Sequence, residues 1–310
     1  MKIAFLFSGQ GAQYPGMMKD LYESNKKVKE IYEKSNQVLE RSISDLSFWG
    51  TQEELNLTHN TQPCVLTADI AAGEALRSFG VKPDVVAGFS LGEYAAMYFA
   101  GVLNLDFVFS LIQVRADAMQ EACPVGKGAM AALLNVTSSE VEELCNMIKE
   151  DYVVPANYNS LVQTVVSGTT EGVDKLLMLA EKKGIRATKL AVSAPFHCKL
   201  MEPAAKVLES KLEETVIYEA NIPVYLNYTG ETLKTSEQTK KMLVYQSYNA
   251  VQWVKTLQNM KADGVDTFIE CGPGKTLTGL VKKTLKDVTV LRVENLKTLN
   301  ETLDKLGVSR

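Results

Sequence analysis

The sequence predicts an α/β protein in which a mainly parallel sheet is interrupted by an inserted β-α-β-β-α-β unit. Three observations carry that prediction. Apolar runs at 3–7 and 85–87 each end at a glycine turn, and helical patterns follow, which is the grammar of a parallel sheet. After Pro124-Val125-Gly126 the pattern changes to strand, helix, two strands, helix, strand, the order of a ferredoxin-like unit. Helices and strands then resume, so the larger part is discontinuous: 1–125 with 194–310, enclosing a small part at 126–193.

The elements follow in order. Residues 2–7 read as a buried strand ending at Ser8-Gly9-Gln10-Gly11. A helix begins after Asn25, with Val28, Ile31, Tyr32, Ser35, Val38 and Leu39 on one face. A second helix spans 63–79 and stops at Gly80. The strand at 85–87 leads into a helix from 93, and helical pattern continues through 105–120. In the insert, 129–134 is a strand and 138–150 a helix with a serine cap. Strands at 152–157 and 163–167, a helix at 172–183 ending at Gly184, and a strand at 186–192 complete it. Beyond it come a helix at 200–214, a strand at 222–227, helices at 237–246 and 253–260, and a strand at 267–270 before Gly272-Pro273-Gly274.

Composition narrows the function. The 310 residues are 46% hydrophobic and 23% charged, ordinary for a globular chain with a sizeable core. A net charge of −4 predicts no general attraction to nucleic acid or anionic membrane. Five scattered cysteines without a C-x-x-C pair point to reduced thiols and a cytoplasmic setting. Two histidines, His59 and His197, leave little for a histidine-based metal site. No apolar run reaches the length of a membrane span, and 3–7 is too short for a signal-peptide core.

The chemistry centres on Gly88-Phe89-Ser90-Leu91-Gly92. Strand before and helix after make it a nucleophile elbow: a strained turn that lifts the Ser90 hydroxyl and leaves backbone N–H groups facing an oxyanion. A bare G-x-S-x-G also fits a plain glycine-rich turn. Serine needs a base. His197, in Pro195-Phe196-His197-Cys198, sits where the two parts of the chain meet; His59 reads as a loop or capping residue ahead of a helix. No acidic residue stands out as the orienter of the imidazole, and a carbonyl oxygen serves as well because orientation needs only an acceptor. Arg115 lies on a largely apolar helix face, either paired structurally or presented to a ligand carboxylate. Gly9-Gln10-Gly11 lacks the third glycine of a dinucleotide fingerprint, and Gly272-Pro273-Gly274-Lys275-Thr276 lacks the first glycine of a P-loop.

Taken in order, these pieces resemble the malonyl-CoA:acyl carrier protein transacylases of fatty acid synthesis and the related acyltransferases of polyketide synthases. The likeness runs through Gly9-Gln10-Gly11-Ala12-Gln13, Thr61-Gln62-Pro63, the elbow with Glu93-Tyr94, Arg115, Asn157-Tyr158-Asn159-Ser160, Pro195-Phe196-His197-Cys198, Gln246, Val251-Gln252-Trp253 and Gly272-Pro273-Gly274-Lys275. It implies an α/β-hydrolase-like large subdomain with the ferredoxin-like insert. It implies Ser90 as nucleophile, His197 as base and the Gln246 backbone carbonyl as the imidazole's acceptor. It further implies an oxyanion site from the N–H groups of Gln10 and Leu91, Arg115 on the malonyl carboxylate, and Gln10, Gln62, Asn159, Phe89 and Phe196 around the acyl group. Malonyl-CoA is the implied donor, phosphopantetheinylated acyl carrier protein the acceptor, and no permanently bound cofactor is implied. Two positions depart from the usual pattern: Phe89 stands where the family has histidine, and Phe196 where discrete fatty-acid enzymes often have serine. An acidic carrier predicts a basic docking surface, for which Lys182, Lys183, Lys189, Lys199, Lys275, Lys282 and Lys283 are candidates. A thioester hydrolase using the same serine and histidine is the competing enzymatic reading, and a non-catalytic carrier-binding protein the competing non-enzymatic one.

Overall fold

Two sheets carry the fold of the computed structural model, which describes residues 1–124, 126–192 and 194–309. The strands are β1 (Ile3–Phe7), β2 (Val85–Gly88), β3 (Gly128–Leu134), β4 (Val153–Ser160), β5 (Gln163–Thr169), β6 (Arg186–Lys189), β7 (Val224–Tyr225), β8 (Thr267–Cys271) and β9 (Thr289–Val293). The larger sheet has the order β7-β2-β1-β8-β9, and every pairing in it is parallel. β1, β2 and β8 are buried along their whole length because helices cover both faces; β1 and β2 accordingly read as unbroken apolar runs rather than alternating ones, while β8 carries the buried Thr267 and Glu270 among apolar residues.

The smaller sheet is antiparallel, in the order β4-β5-β3-β6. Here the two-residue period is plain. Ala129, Ala131 and Leu133 of β3 pack beneath the helices Ser138–Met147 and Thr170–Lys182, while Met130 and Ala132 turn the other way, toward Ala194, Phe196 and Met201. That second face forms one wall of a cleft against the larger sheet. Val251, packed in the core of the larger sheet, also reaches the smaller one: it accepts from the Tyr158 amide (2.9 Å) and donates to the Ala156 carbonyl (2.8 Å), extending that sheet's edge. The expected division of the chain at 125/126 and 193/194 falls on Val125 and Ser193, which lie outside the described residues.

Several elements differ from the sequence expectation, each for a local reason. The helix expected at 63–79 runs Thr58–Ser78 and takes Pro63 inside it. Pro63 has no N–H to give the His59 carbonyl; the Arg41 guanidinium supplies the hydrogen bond instead (2.7 Å), so the helix tolerates the proline. His59 is therefore a helical residue, with Nδ1 3.1 Å from Gln120 Oε1. The helix at Ser138–Met147 is capped by Thr137 rather than a serine, in a reciprocal box with Glu140. β6 stops at Lys189 and β7 has two residues, because the chain leaves each sheet to line or brace the cleft. The sequence reading did not find β9, the helices Thr276–Thr284 and Leu296–Leu306, or the short helices between 19 and 55.

Candidate active site

The site lies at the carboxyl ends of β2, β1 and β8, where loops from adjacent parallel strands converge. After β2 the chain makes the elbow. Ser90 adopts a left-handed φ of 55°, a costly conformation for a residue with a Cβ. Both flanking glycines are sterically required: a Cβ on Gly88 would collide with the Gly92 carbonyl, and one on Gly92 with the carbonyls of Phe7 and Ser8. A helix, Gly92–Phe99, starts immediately after.

Ser90 Oγ lies 2.7 Å from His197 Nε2. His197 Nδ1 lies 2.9 Å from the Gln246 backbone oxygen. A carbonyl can only accept, so Nδ1 carries the proton and Nε2 is free to accept the serine hydroxyl. Burial, reinforced by the Arg115 charge, pushes the imidazole pKa down to about 4, so the ring is neutral near pH 7. His197 too has a left-handed backbone, at φ 58°.

Arg115 is 2% exposed. Its Nη1 donates to Gln62 Oε1 (2.7 Å), and its Nη2 reaches Gln246 Oε1 (3.1 Å) and Ser90 Oγ (3.2 Å). All three partners are neutral, and among the described residues no carboxylate stands within ion-pairing distance of this guanidinium. Burial lowers its pKa, yet an arginine keeps its charge. A buried cation beside the Ser90 hydroxyl and satisfied only by neutral oxygens can take an anionic group as its partner.

A cavity of about 370 Å³ opens over these atoms. Gln10, Gln62, Phe89, Ser90, Arg115, Asn159, Phe196 and His197 all line it, so these expected site residues are brought together from six separate stretches of chain. Asn157 and Asn159 of β4 both reach it, from a stretch in which the register of β4 against β5 shifts. Phe89 packs edge-on against Trp253 at 5.3 Å between ring centres. Leu91 is buried at the first turn of the Gly92–Phe99 helix; among the described residues, neither its amide nor that of Gln10 donates a hydrogen bond. The seven candidate lysines are all exposed, and Lys189 pairs with Asp174 at 2.6 Å.

Comparison with known proteins shows the family. The acyl transferase domain model matches residues 4–301. The chain belongs to the acyl transferase domain family. This acyl transferase is 40% identical to the malonyl CoA-acyl carrier protein transacylase of Bacillus subtilis (strain 168) over 98% of its own length and 97% of the relative's. It is 38% identical to the transacylase of the same name from Escherichia coli (strain K12), covering 93% and 94%. Among solved structures, the Clostridium perfringens malonyl CoA-acyl carrier protein transacylase superposes with a TM-score of 0.96 at 40% identity, covering 99% of this chain and 98% of that one. A malonyl-transacylase solved in complex with its type II polyketide synthase acyl-carrier protein superposes at 0.95 and 34% identity, covering 98% and 100%.

Two residues of the acyl transferase site escaped the sequence reading. Asn227 contacts the elbow from the far side, and Glu93 accepts from the Asn227 amide (2.7 Å). Burial raises the Glu93 carboxyl to about 8. Glu93 was visible as part of the elbow motif without a role. Nothing local marks Asn227, whose partners lie more than a hundred residues earlier.

Proposed function

We propose that this acyl transferase carries a malonyl group from coenzyme A to the phosphopantetheine thiol of acyl carrier protein, by way of an ester on Ser90, supplying extender units for fatty acid or polyketide synthesis. The observation that carries this reading is Arg115: a buried guanidinium one hydrogen bond from the nucleophile and bonded only to neutral groups. A carboxylate at the far end of a short acyl group can replace the neutral contacts with a charge-assisted, two-point one.

The steps follow from the positions of the protons. His197 Nε2 takes the Ser90 proton as Oγ attacks the thioester carbonyl. The N–H groups of Gln10 and Leu91 hold the resulting oxyanion. The carbon–sulfur bond breaks and the imidazolium returns the proton to the coenzyme A sulfur. The carrier thiol then gives its proton to His197 and attacks the ester, and the Ser90 oxygen leaves with that proton. The Gln246 carbonyl holds the ring in the required tautomer throughout. Gln62 and Asn159 face the acyl group, and Phe89 and Phe196 supply its apolar walls. A bulky Phe196 disfavours an α-methyl branch, and one methyl is worth roughly 1–3 kcal/mol of discrimination.

The finer architecture is read with the chemistry. The elbow between β2 and its helix supports an α/β-hydrolase-like large subdomain at 1–125 and 194–310, and the order β4-β5-β3-β6 supports a ferredoxin-like insert at 126–193. Lys189 and Lys275 stand next to the cleft residues Leu190 and Thr276, and with Lys199, two residues beyond His197, they supply a basic rim for an acidic carrier. Five free, buried cysteines fit a cytoplasmic setting.

The test is the intact mass of the protein after brief mixing with malonyl-CoA, and again after adding phosphopantetheinylated carrier. A malonyl adduct that moves to the carrier is the expected result. Decay of that adduct to free malonate regardless of carrier would make the protein a hydrolase, and failure to form it would overturn the substrate.

A further inference from the structure

We propose that Asn227 is a positioning residue for the nucleophile: its side-chain amide bridges the two sides of the elbow and holds Ser90 in the backbone conformation that aims Oγ at His197. The inference rests on the reading of Ser90 as nucleophile given above. Asn227 Oδ1 accepts from the Ser90 amide (2.7 Å), and its Nδ2 donates to the Gly88 carbonyl (2.6 Å). Those two groups flank Phe89, so one planar side chain fixes the entry and the apex of the turn together. The requirement is for one acceptor and one donor on a short stem. Asparagine meets it; aspartate lacks the donor, leucine lacks both, and glutamine is a methylene too long.

The bridge is itself held. Asn227 is 1% exposed, and its main-chain N–H donates to Glu93 Oε2 (2.7 Å). Glu93 sits three residues beyond Ser90 in the helix that the elbow opens, so the bracket closes on the same turn it supports. β7 explains how the residue arrives: it pairs with β2 only at Val86↔Val224 and Ala87↔Tyr225, then breaks off, and Asn227 reaches beneath the elbow. On the other side, Gln246 Nε2 donates to the Ser90 carbonyl (2.6 Å). Both main-chain polar groups of Ser90 are therefore engaged by side chains, and the left-handed φ of 55° is over-determined from outside the turn. Because Asn227 occupies the Ser90 N–H, the elbow donor left for an oxyanion is the amide of Leu91.

The test compares wild type with Asn227→Ala and Asn227→Asp in single-turnover malonyl loading, with KM for malonyl-CoA and thermal unfolding measured alongside. A displacement of about 1 Å at a reacting atom costs on the order of 100-fold, so Asn227→Ala should load malonyl roughly 30- to 300-fold more slowly with KM within threefold. Asn227→Asp keeps the acceptor for Ser90 N–H and nearly the same shape, which covers the case in which the alanine variant does not fold. Its carboxyl can donate to the Gly88 carbonyl only while protonated. The titratable and charged groups tied to it are Glu93, which accepts from its main-chain N–H, His197, bonded to the Ser90 it holds, and Arg115, whose charge acts on Glu93. Loading by Asn227→Asp should therefore fall as pH rises, on a limb that wild type lacks. A folded Asn227→Ala that loads within threefold of wild type, or an Asn227→Asp profile parallel to wild type at wild-type rate, would overturn the proposal. Ser90→Ala separates the two levels: if it still forms the adduct, the site reading fails; if it forms none and Asn227→Ala loads normally, only the role of Asn227 fails.

Discussion

The two sheets solve opposite problems. In the smaller, antiparallel sheet, local preference and tertiary structure agree: residues alternate between a helix-covered face and the cleft, and its helices open with ordinary caps. At the carboxyl end of the larger sheet they disagree. Ser90 and His197 are left-handed without being glycine, Gly88 and Gly92 tolerate no side chain, and an arginine, a histidine and a glutamate are buried together. Chemistry is concentrated where local rules are broken and neighbours enforce the break. The smaller sheet contributes a wall of the cleft, and the carboxyl end of the larger one carries the Ser90 elbow.

That contrast is open to direct attack. The largest effect should come from glycine replacement. Gly88→Ala drives a Cβ into the Gly92 carbonyl and should remove activity together with about 3 kcal/mol or more of stability. Gly184→Ala, at positive φ (69°) but with open space around it, should cost about 1 kcal/mol and leave transfer intact. Equal losses in denaturant unfolding would erase the distinction between the regions.

Next comes Arg115→Ala, expected to cost about 2–5 kcal/mol in kcat/KM for malonyl-CoA and to raise the relative use of acetyl-CoA. If both substrates fell in parallel, Arg115 would be holding the site together rather than reading the carboxylate. The depressed His197 pKa gives a further expectation. The base works only when neutral, so loading should persist through pH 6 and fall on the acid side near pH 4. A single acid limb at pH 6.5 would contradict the environment described for the ring.

Glu93 has a smaller, thermodynamic signature. Its folded pKa, raised by burial to about 8, exceeds the ordinary 4.5, so the folded state holds the proton more tightly than the unfolded one. The stabilisation is complete below pH 4.5 and is lost as pH rises toward 8. Glu93→Gln should remove about 1–2 kcal/mol of the decline between pH 6.5 and 8, read as the difference in unfolding free energy between the two proteins. Identical slopes would mean that the buried carboxyl is already ionised. Smallest of all should be Phe89→His, which leaves the glycines alone and changes only a cavity wall; transfer should move by less than about tenfold, or about 1.4 kcal/mol. A larger change would place the Phe89–Trp253 contact within the reacting geometry.

The same contrast governs what the sequence made legible. The insert's element order was readable because alternation and caps are local signals. The elbow was readable because its glycines leave a pattern within five residues. Boundaries failed where a distant group intervened: Pro63 should have started a helix, and Arg41 let it continue inside one. Asn227 was illegible for the same reason. Its meaning depends on Gly88, Ser90 and Glu93, and no period or spacing near 227 points to them. Gln246 as the imidazole's acceptor came from family resemblance, since any residue can supply a backbone carbonyl.

Val251 gives the cleft a mechanical character. Five residues after the carbonyl that holds the imidazole, this single residue is stitched by both of its main-chain groups to β4, the strand that carries Asn157 and Asn159 into the cavity. The wall facing the acyl group and the orientation of the base therefore share one anchor. A substrate that pushed the wall outward would pull on the segment that aims the histidine, so a poor fit at the rim would be felt as poor proton transfer at the centre.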